Sequence, residues 1–459
     1  MTAKTFDAII VGAGQAGPPL AGRLNAAGMS VALIERKLVG GTCVNTGCTP
    51  TKTMVASAYA AHLARSAADY GVVTLSGPVG VNYKAIKARK DKVSNDARGN
   101  LEDWIAGMDK CTLYRGHARF VSANTVRVGD DLLSAEKIFL NTGGRASVPG
   151  LPGIDGISYL TNSSMMDLDV LPRHLIVVGG SYVSLEFAQM FRRFGSEVTV
   201  IEKSPRLIGR EDEDVSDAIL SILENEAIAV HLGADDIRFA RRGNEIAVTF
   251  SPGKAAAVGS HVLLALGRTP NTDDLGLDKA GVEVDKRGFI VVDDQLRTSV
   301  PGIWAMGDCN GKGAFTHTSY NDYEIVAANL LDNDPRKVSD RIEAYALYID
   351  PPLGRCGMTE AAVRKSGRRA LVGQRPMTRV SRAVEKGETQ GFMKILVDAD
   401  TKEILGCSVL GPGGDEAVHC VLDLMYAKAP VSTLARAVHI HPNVSELLPT
   451  IAQELKPLV

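Results

Sequence analysis

The chain opens on a short β-rich apolar run, Phe6 to Val11, that breaks at Gly12 into a glycine turn. Gly12, Gly14 and Gly17 follow in GxGxxG spacing, the stretch LAGRLNAAG reads as a helix, and a second apolar run, SVALIE, ends on Glu35. In that order these parts make a complete dinucleotide half-site. Gly12 permits the tight turn, Gly14 lets the backbone approach a pyrophosphate, and Gly17 lets the helix pack close to the strand. Pro18 and Pro19 fall in or just past the first helical turn, where amide hydrogens mostly lack partners, so they need not break the helix. Glu35 stands where a carboxylate accepts hydrogen bonds from ribose hydroxyls.

The same pattern returns in RHLIVVGGSYVSLEFAQMFRRFGSEVTVIE, with a strand over 174–178, a glycine turn, an amphipathic helix and a second strand leading to Glu202. Gly179 holds the first glycine position, while Ser181 and Ser184 replace the second and third. Serine is small enough for close approach, so a second dinucleotide is expected; the alternative is a unit that has lost its ligand. Glu202 repels a 2′-phosphate and slightly favours NADH, although Lys203, Arg206 and Arg210 follow closely and could hold that phosphate. Elsewhere, IFLNTGGRASVPG ends a strand at Thr142, Gly143 and Gly144, and HVLLALGRTPNT ends a buried-strand pattern in a turn that holds Gly267 and Arg268. GIWAMGDCNG carries Asp308 at a strand's carboxyl end, as a ribityl or phosphate-water ligand or, read alone, as a loop cap.

From DNDPRKVSD onward the pattern changes: FMKILVD and ILGCSVLGPG read as antiparallel strands, followed by the helical DEAVHCVLDLMYAKA. The expected class is α/β, with two Rossmann-like dinucleotide-binding domains plus a C-terminal α+β domain. The first domain takes residues 1–148 and 267–336, the second 149–266, and the third 337–459.

The 459 residues carry a net charge of −2 with no block of Lys and Arg, which argues against a nucleic-acid partner. No apolar run is long enough to span a bilayer, and the first strand runs straight into a glycine turn without a signal-peptide pattern, so no membrane association and a cytoplasmic location are expected. In a reducing compartment the close pair Cys43 and Cys48, within GGTCVNTGCTPTK, is catalytic, redox-sensing or metal-binding rather than a structural staple. Helix N-terminal amides are expected to lower the thiol pKa there. No second cysteine or histidine pair stands nearby to complete a zinc site, so no metal is expected. Cys111, Cys309, Cys356, Cys407 and Cys420 are scattered and read as small buried residues. HIHPNVSELLPT offers His439, His441 and Glu446. A histidine oriented by a carboxylate is what a thiol needs as acid and base, although a surface histidine beside a proline is, by itself, more often inert.

Taken together, GxGxxG, GGTCVNxGCxPxK, TGGR, the second nucleotide unit, GRxPN, GD and HPxxxE resemble the flavoprotein disulfide reductases (class I pyridine nucleotide-disulfide oxidoreductases) over nearly the whole chain. The resemblance implies FAD on the first unit, NAD(P)H on the second, and a last domain that forms a homodimer in which His441 and Glu446 serve the partner's active site. Residue by residue, it makes Cys48 the charge-transfer thiol nearest the flavin and Cys43 the one that attacks a substrate disulfide. Lys52 matches the lysine beside the flavin and Glu186 its ion-pair partner, although Lys52 could also be a solvated helix charge. Tyr182 matches the aromatic lid that covers the flavin until nicotinamide displaces it, or else is ordinary packing. Ala118 matches a backbone contact to the adenine and Asp308 the ligand of the ribityl chain; Gly41, Thr42, Thr142, Gly143, Gly267, Arg268, Thr316 and His317 fall at further cofactor positions.

Thr46 and Thr49 replace residues usually aliphatic in the family, and the cysteine motif looks most like mercuric-reductase-like sequences. The tail LLPTIAQELKPLV, however, has no cysteine pair, and His441 is present. The leading expectation is therefore an NAD(P)H-dependent reductase of a small-molecule disulfide. The alternatives are a reductase of Hg(II) or Cu(II) and a dihydrolipoamide dehydrogenase subunit of a multienzyme complex. Tyr59 and His62 on the cysteine helix are candidates to touch the substrate.

Overall fold

A computed structural model describes residues 3–73, 79–251 and 253–458. The chain divides into two compact units, one of Met1–Thr53, Lys84–Val148 and Leu266–Arg341, the other of Met54–Tyr83, Pro149–Ala265 and Ile342–Val459.

The first unit is built on a five-stranded sheet in the order Ile303–Ala305, Lys137–Leu140, Ala8–Val11, Val31–Glu35, Cys111–Arg115, with every neighbouring pair parallel. Ala8–Val11 and Val31–Glu35 are buried at every position, as strands covered on both faces must be. Helix Gly17–Ala26 buries Leu20, Ala21 and Leu24, a helical spacing, and takes Pro18 in its first turn. The strand expected from Phe6 begins only at Ala8. Lys4 and Thr5 pair instead with Leu133 and Ser134 in a separate four-stranded sheet, and the Phe6 ring stands edge-on to Tyr114.

The second unit holds a parallel four-stranded sheet, ordered Ala229–His231, Glu197–Ile201, His174–Val178, His261–Leu264. It also holds a six-stranded antiparallel sheet, in which Phe392–Asp398 and Ile404–Leu410 pair as central strands. Both are buried throughout. The helical stretch after them breaks at Val418 into Gly414–Ala417 and His419–Tyr426. Among the described residues no helix is long and apolar enough to cross a membrane.

Candidate active site

The cysteine pair sits where three glycines bend the chain. Gly40 and Gly41 adopt φ of +92° and +59°, and a Cβ on Gly41 would lie 2.9 Å from the Gly14 Cα, so glycine lets this segment lie against the first nucleotide turn. Short helix Gly41–Thr46 carries Thr42 and Cys43; Gly47 interrupts it, and Cys48 opens helix Cys48–Arg65, which also carries Lys52. Asn45 fastens the loop by donating to the carbonyls of Val39 and Gly41, each at 2.9 Å, and accepts from Arg98 at 3.0 Å.

Neither cysteine is in a disulfide; Cys43 is half-buried and Cys48 exposed. Cys48 Sγ lies 3.2 Å from the Thr316 hydroxyl at the start of helix Thr316–Ala327. The Cys43 thiol is pushed well above its ordinary pKa, first by its hydrogen bond to Cys48 and then by burial. This reverses the lowering expected from a helix N-terminus, because the neighbouring sulfur and the loss of water outweigh the amide dipoles at Cys43. A base must therefore take the Cys43 proton before its sulfur becomes a thiolate. Of the other cysteines, Cys309, Cys356 and Cys407 are buried as expected, whereas Cys111 and Cys420 are only partly covered.

Around the first turn, Gly12 has φ +107°, and a Cβ there would meet the Asn141 carbonyl oxygen at 2.2 Å; one on Gly17 would meet the Gly12 carbonyl oxygen at 2.1 Å. Gly14 would press on Asn141 Oδ1 at 3.0 Å. Asn141 itself escaped the motif reading. Its Oδ1 accepts the Gly17 amide at 3.2 Å and its Nδ2 donates to the Met306 carbonyl at 3.0 Å, tying the turn to the segment that leads from strand Ile303–Ala305 to Asp308; its place just before Thr142 and Gly143 is the signal in the sequence. Glu35 accepts the Ala13 amide at 2.9 Å and the Lys37 amide at 2.8 Å, which sets its carboxylate at the turn. Bare backbone at three points, a helix N-terminus and a terminal acid fit an FAD pyrophosphate and ribose.

Arg268 pairs with Asp308 at 3.2 Å and donates to the Gly144 carbonyl at 2.6 Å, while Gly143 and Gly267 take φ of +65° and +99°. His317 stacks on Phe315 at 5.3 Å, and Ala118 is buried at the head of strand Ala118–Ser122.

In the second turn Gly179 has φ +117°, and a Cβ there would meet the Ala265 carbonyl oxygen at 2.5 Å. Gly180, not the motif's second position, is the one crowded by Glu202, whose Cγ would lie 2.7 Å from an added Cβ. Tyr182 opens helix Tyr182–Phe194, and the Ser184 hydroxyl is buried without a hydrogen-bond partner among the described residues. Glu202 accepts the Ser204 amide at 2.6 Å, and Arg206 is paired with Glu213 at 3.3 Å. Lys52 lies in the first unit and Glu186 in the second, where Glu186 accepts the Tyr348 amide at 3.1 Å.

Near the C-terminus His441 Nδ1 lies 2.8 Å from Glu446 Oε2, with the histidine side chain 73% exposed and the glutamate 10%. A carboxylate can only accept, so Nδ1 carries the hydrogen and Nε2 is left as the base. His439 is different: its Nδ1 is spent on the Ser445 carbonyl at 2.7 Å. Val438 and Ile440 beside it are 97% and 79% exposed, an apolar edge suited to a subunit contact. Tyr59, expected near the substrate, donates to Glu388 at 2.6 Å, and His62 stacks on its ring at 6.4 Å.

The family described as pyridine nucleotide-disulphide oxidoreductase matches residues 6–322, and its dimerisation domain matches residues 344–452. The chain is 37% identical over 451 residues to the probable pyridine nucleotide-disulfide oxidoreductase RclA of Escherichia coli, covering 96% of this chain and 98% of that protein. It is 31% identical to a dihydrolipoyl dehydrogenase of Thermus scotoductus, covering 98% of both. With a mercuric reductase of Streptomyces lividans it shares 32% identity, covering 98% of this chain and 96% of that one. The solved Cu(II) complex of the HOCl-induced flavoprotein disulfide reductase RclA from Escherichia coli superposes with a TM-score of 0.90 at 35% identity, over 99% of this chain and 100% of that one.

Proposed function

The chain belongs to the class I pyridine nucleotide-disulfide oxidoreductase family, and from that premise we propose that it reduces a small-molecule disulfide through Cys43 and Cys48. It is an FAD-dependent oxidoreductase with NAD(P)H as electron donor, and its dimerisation domain indicates a homodimer. The observation that carries the substrate reading is the coexistence of a vicinal pair of cysteine thiols with a carboxylate-oriented histidine.

Bound FAD supplies the two-electron link between nicotinamide hydride and the Cys43–Cys48 disulfide. The rest belongs to the chain's own residues. With the pair reduced, His441 Nε2 of the partner subunit takes the Cys43 proton, and the Cys43 thiolate attacks one sulfur of the substrate disulfide. The substrate S–S bond breaks, a mixed disulfide forms on Cys43, and the departing thiolate takes the proton back from His441. His441 next takes the Cys48 proton, the Cys48 thiolate attacks Cys43 Sγ, the second substrate thiolate leaves and takes that proton, and the Cys43–Cys48 disulfide closes. Glu446 keeps the imidazole in the tautomer this cycle needs. Thr316 holds the Cys48 sulfur, Tyr182 is the aromatic lid, and Lys52 with Glu186 and the glycine, Thr142 and Asp308 sets hold the cofactors. NADH is the favoured donor, because Glu202 faces a 2′-phosphate while Arg206 is already paired. A reducing cytoplasm is the location this chemistry suits.

A second reading is reduction of Cu(II) or Hg(II). The similarity to a protein solved with Cu(II) and to mercuric reductases favours it. Anaerobic titration of the holoenzyme with NADH and NADPH, then with a panel of disulfides including lipoamide and with Cu(II) and Hg(II), separates these readings. We expect a long-wavelength absorption band after two electrons, lost in Cys48→Ser and discharged by one low-molecular-weight disulfide, with His441→Gln slowing that discharge about 10²–10⁴-fold. Discharge by metal ions alone would select the second reading. Flavin bleaching that ignores both cysteines would sink both.

A further inference from the structure

Asp308 sits on a single 3-10 turn, Gly307–Asn310, that follows strand Ile303–Ala305. Its carboxylate meets Arg268 Nε at 3.2 Å and stays partly open to solvent. A turn that short, with the poorer hydrogen-bond geometry of a 3-10 helix, does not fix its own position. What holds it is helix Thr316–Ala327 of the same unit. Asp322, three residues after Ser319 and so on the same face of that helix, is almost wholly buried. Its Oδ2 accepts the Gly307 amide at 2.8 Å and the Asn310 side-chain amide at 2.9 Å, from the first and last residues of the turn. Its Oδ1 is paired with Arg341. Ser319 backs the turn: Gly307 has φ +72°, and a Cβ there would meet Ser319 Oγ at 2.6 Å and Asn141 Nδ2 at 2.9 Å. One carboxylate oxygen thus grips both ends of the turn that presents Asp308, and the turn lies against the residue whose Oδ1 holds the Gly17 amide.

We propose that Asp322 is a positioning residue for FAD that acts through Asp308, fixing the turn that offers the Asp308 carboxylate to the ribityl chain while Asn141 fixes the pyrophosphate turn. This rests on the reading of Asp308 as the ribityl ligand. The arrangement calls for an acid. Donors converge on both oxygens of Asp322, the turn on one and the Arg341 guanidinium on the other, and a carboxylate accepts on both sides whereas an amide accepts on one and donates on the other. A carboxylate buried this deeply is costly unless it is paired and hydrogen-bonded, and here its bonds go to the turn and to Arg341. The two bonds from the turn are charge-assisted, about twice as strong as neutral ones, which suits a short element with little hold of its own.

The test is isothermal titration of the full-length protein, stripped of flavin, with FAD and separately with ADP, which shares the adenosine and both phosphates but lacks the ribityl chain. Melting temperature is read on the same samples. Asp322→Asn should raise the FAD Kd about tenfold, the size of one charge-assisted hydrogen bond, and leave the ADP Kd within about twofold. Asp308→Ala should show the same selectivity, and in that background Asp322→Asn should add nothing to the FAD Kd. If Asp322→Asn does not fold, Asn310→Ala, which cuts one tie and leaves the Asp322–Arg341 pair intact, takes its place, with the same selective loss at about threefold. FAD and ADP weakened alike, or FAD binding unchanged, would make Asp322 merely structural and overturn the proposal. An effect of Asp322→Asn that persists without Asp308 would overturn it as well. If Asp308→Ala spares FAD, or weakens ADP as much, the ribityl reading falls and the proposal with it, while the disulfide chemistry of Cys43 and Cys48 is untouched.

Discussion

The two nucleotide turns follow one motif and meet its demands differently. In both, the first glycine is imposed by backbone: Gly12 and Gly179 have φ of +107° and +117°, and each would drive a Cβ into a carbonyl oxygen, at 2.2 and 2.5 Å. At the third position they part. A Cβ on Gly17 would lie 2.1 Å from the Gly12 carbonyl oxygen, so the first turn has no room for one, whereas the second accommodates the whole Ser184 side chain, fully buried. The second turn's tight spot lies instead at Gly180, against Glu202. A consensus position is thus required where backbone meets backbone and negotiable where the neighbour is a side chain that can shift.

The sharpest way to break this comparison is Gly17→Ala against Ser184→Ala. Gly17→Ala should cost more than about 3 kcal/mol, beyond ordinary overpacking because the obstacle is main chain, and should lower both the melting temperature and the FAD content of purified protein. Retention of full FAD and stability would remove the distinction. Gly180→Ala should come next, at about 1–2 kcal/mol, with FAD retained and only nicotinamide binding weakened, since the Glu202 side chain can move. Measuring NADH affinity and FAD content on one sample checks this, and parallel loss of both would contradict it.

Glu202→Ala should leave stability unchanged and shift the ratio of NADPH to NADH efficiency upward by about five- to tenfold, the effect of one nearby charge on a phosphate in a wet site. No shift would mean that the acid does not face the ribose. Smallest of all, Ser184→Ala should be neutral or stabilising by up to about 1 kcal/mol, because it deletes a buried hydroxyl that has no hydrogen-bond partner among the described residues. A clear loss of stability would reveal a partner for that hydroxyl.

Local spacing made much of this molecule legible. The glycine turns, the central strands Phe392–Asp398 and Ile404–Leu410, and the His441–Glu446 pair all involve residues close in the chain, where periodicity and offset carry the geometry. Reading failed where neighbours came from far away. The ionisation of Cys43 was misjudged because helix amides are visible in sequence, while burial and the orientation of a second thiol are not. Nothing near Tyr59 announces its hydrogen bond to Glu388, 329 residues on. Phe6, at the edge of the apolar run, falls between strands Lys4–Thr5 and Ala8–Val11, because an apolar run does not say which sheet claims the residues at its ends.

The sequence by itself determined that this chain binds two dinucleotides, carries a vicinal thiol pair and possesses a carboxylate-held histidine, because each is written within a few dozen residues and needs only local backbone to form. Only the tertiary structure decided what Tyr182 leans on, which side chain ties the first turn to the segment that leads to Asp308, and which basic residues near Glu202 are already paired. The first two depend on groups brought together from positions as distant as Glu211 and Arg355, or Asn141 and Met306, and the third on rotamers that the sequence does not set. Neither leaves a periodic trace in the chain.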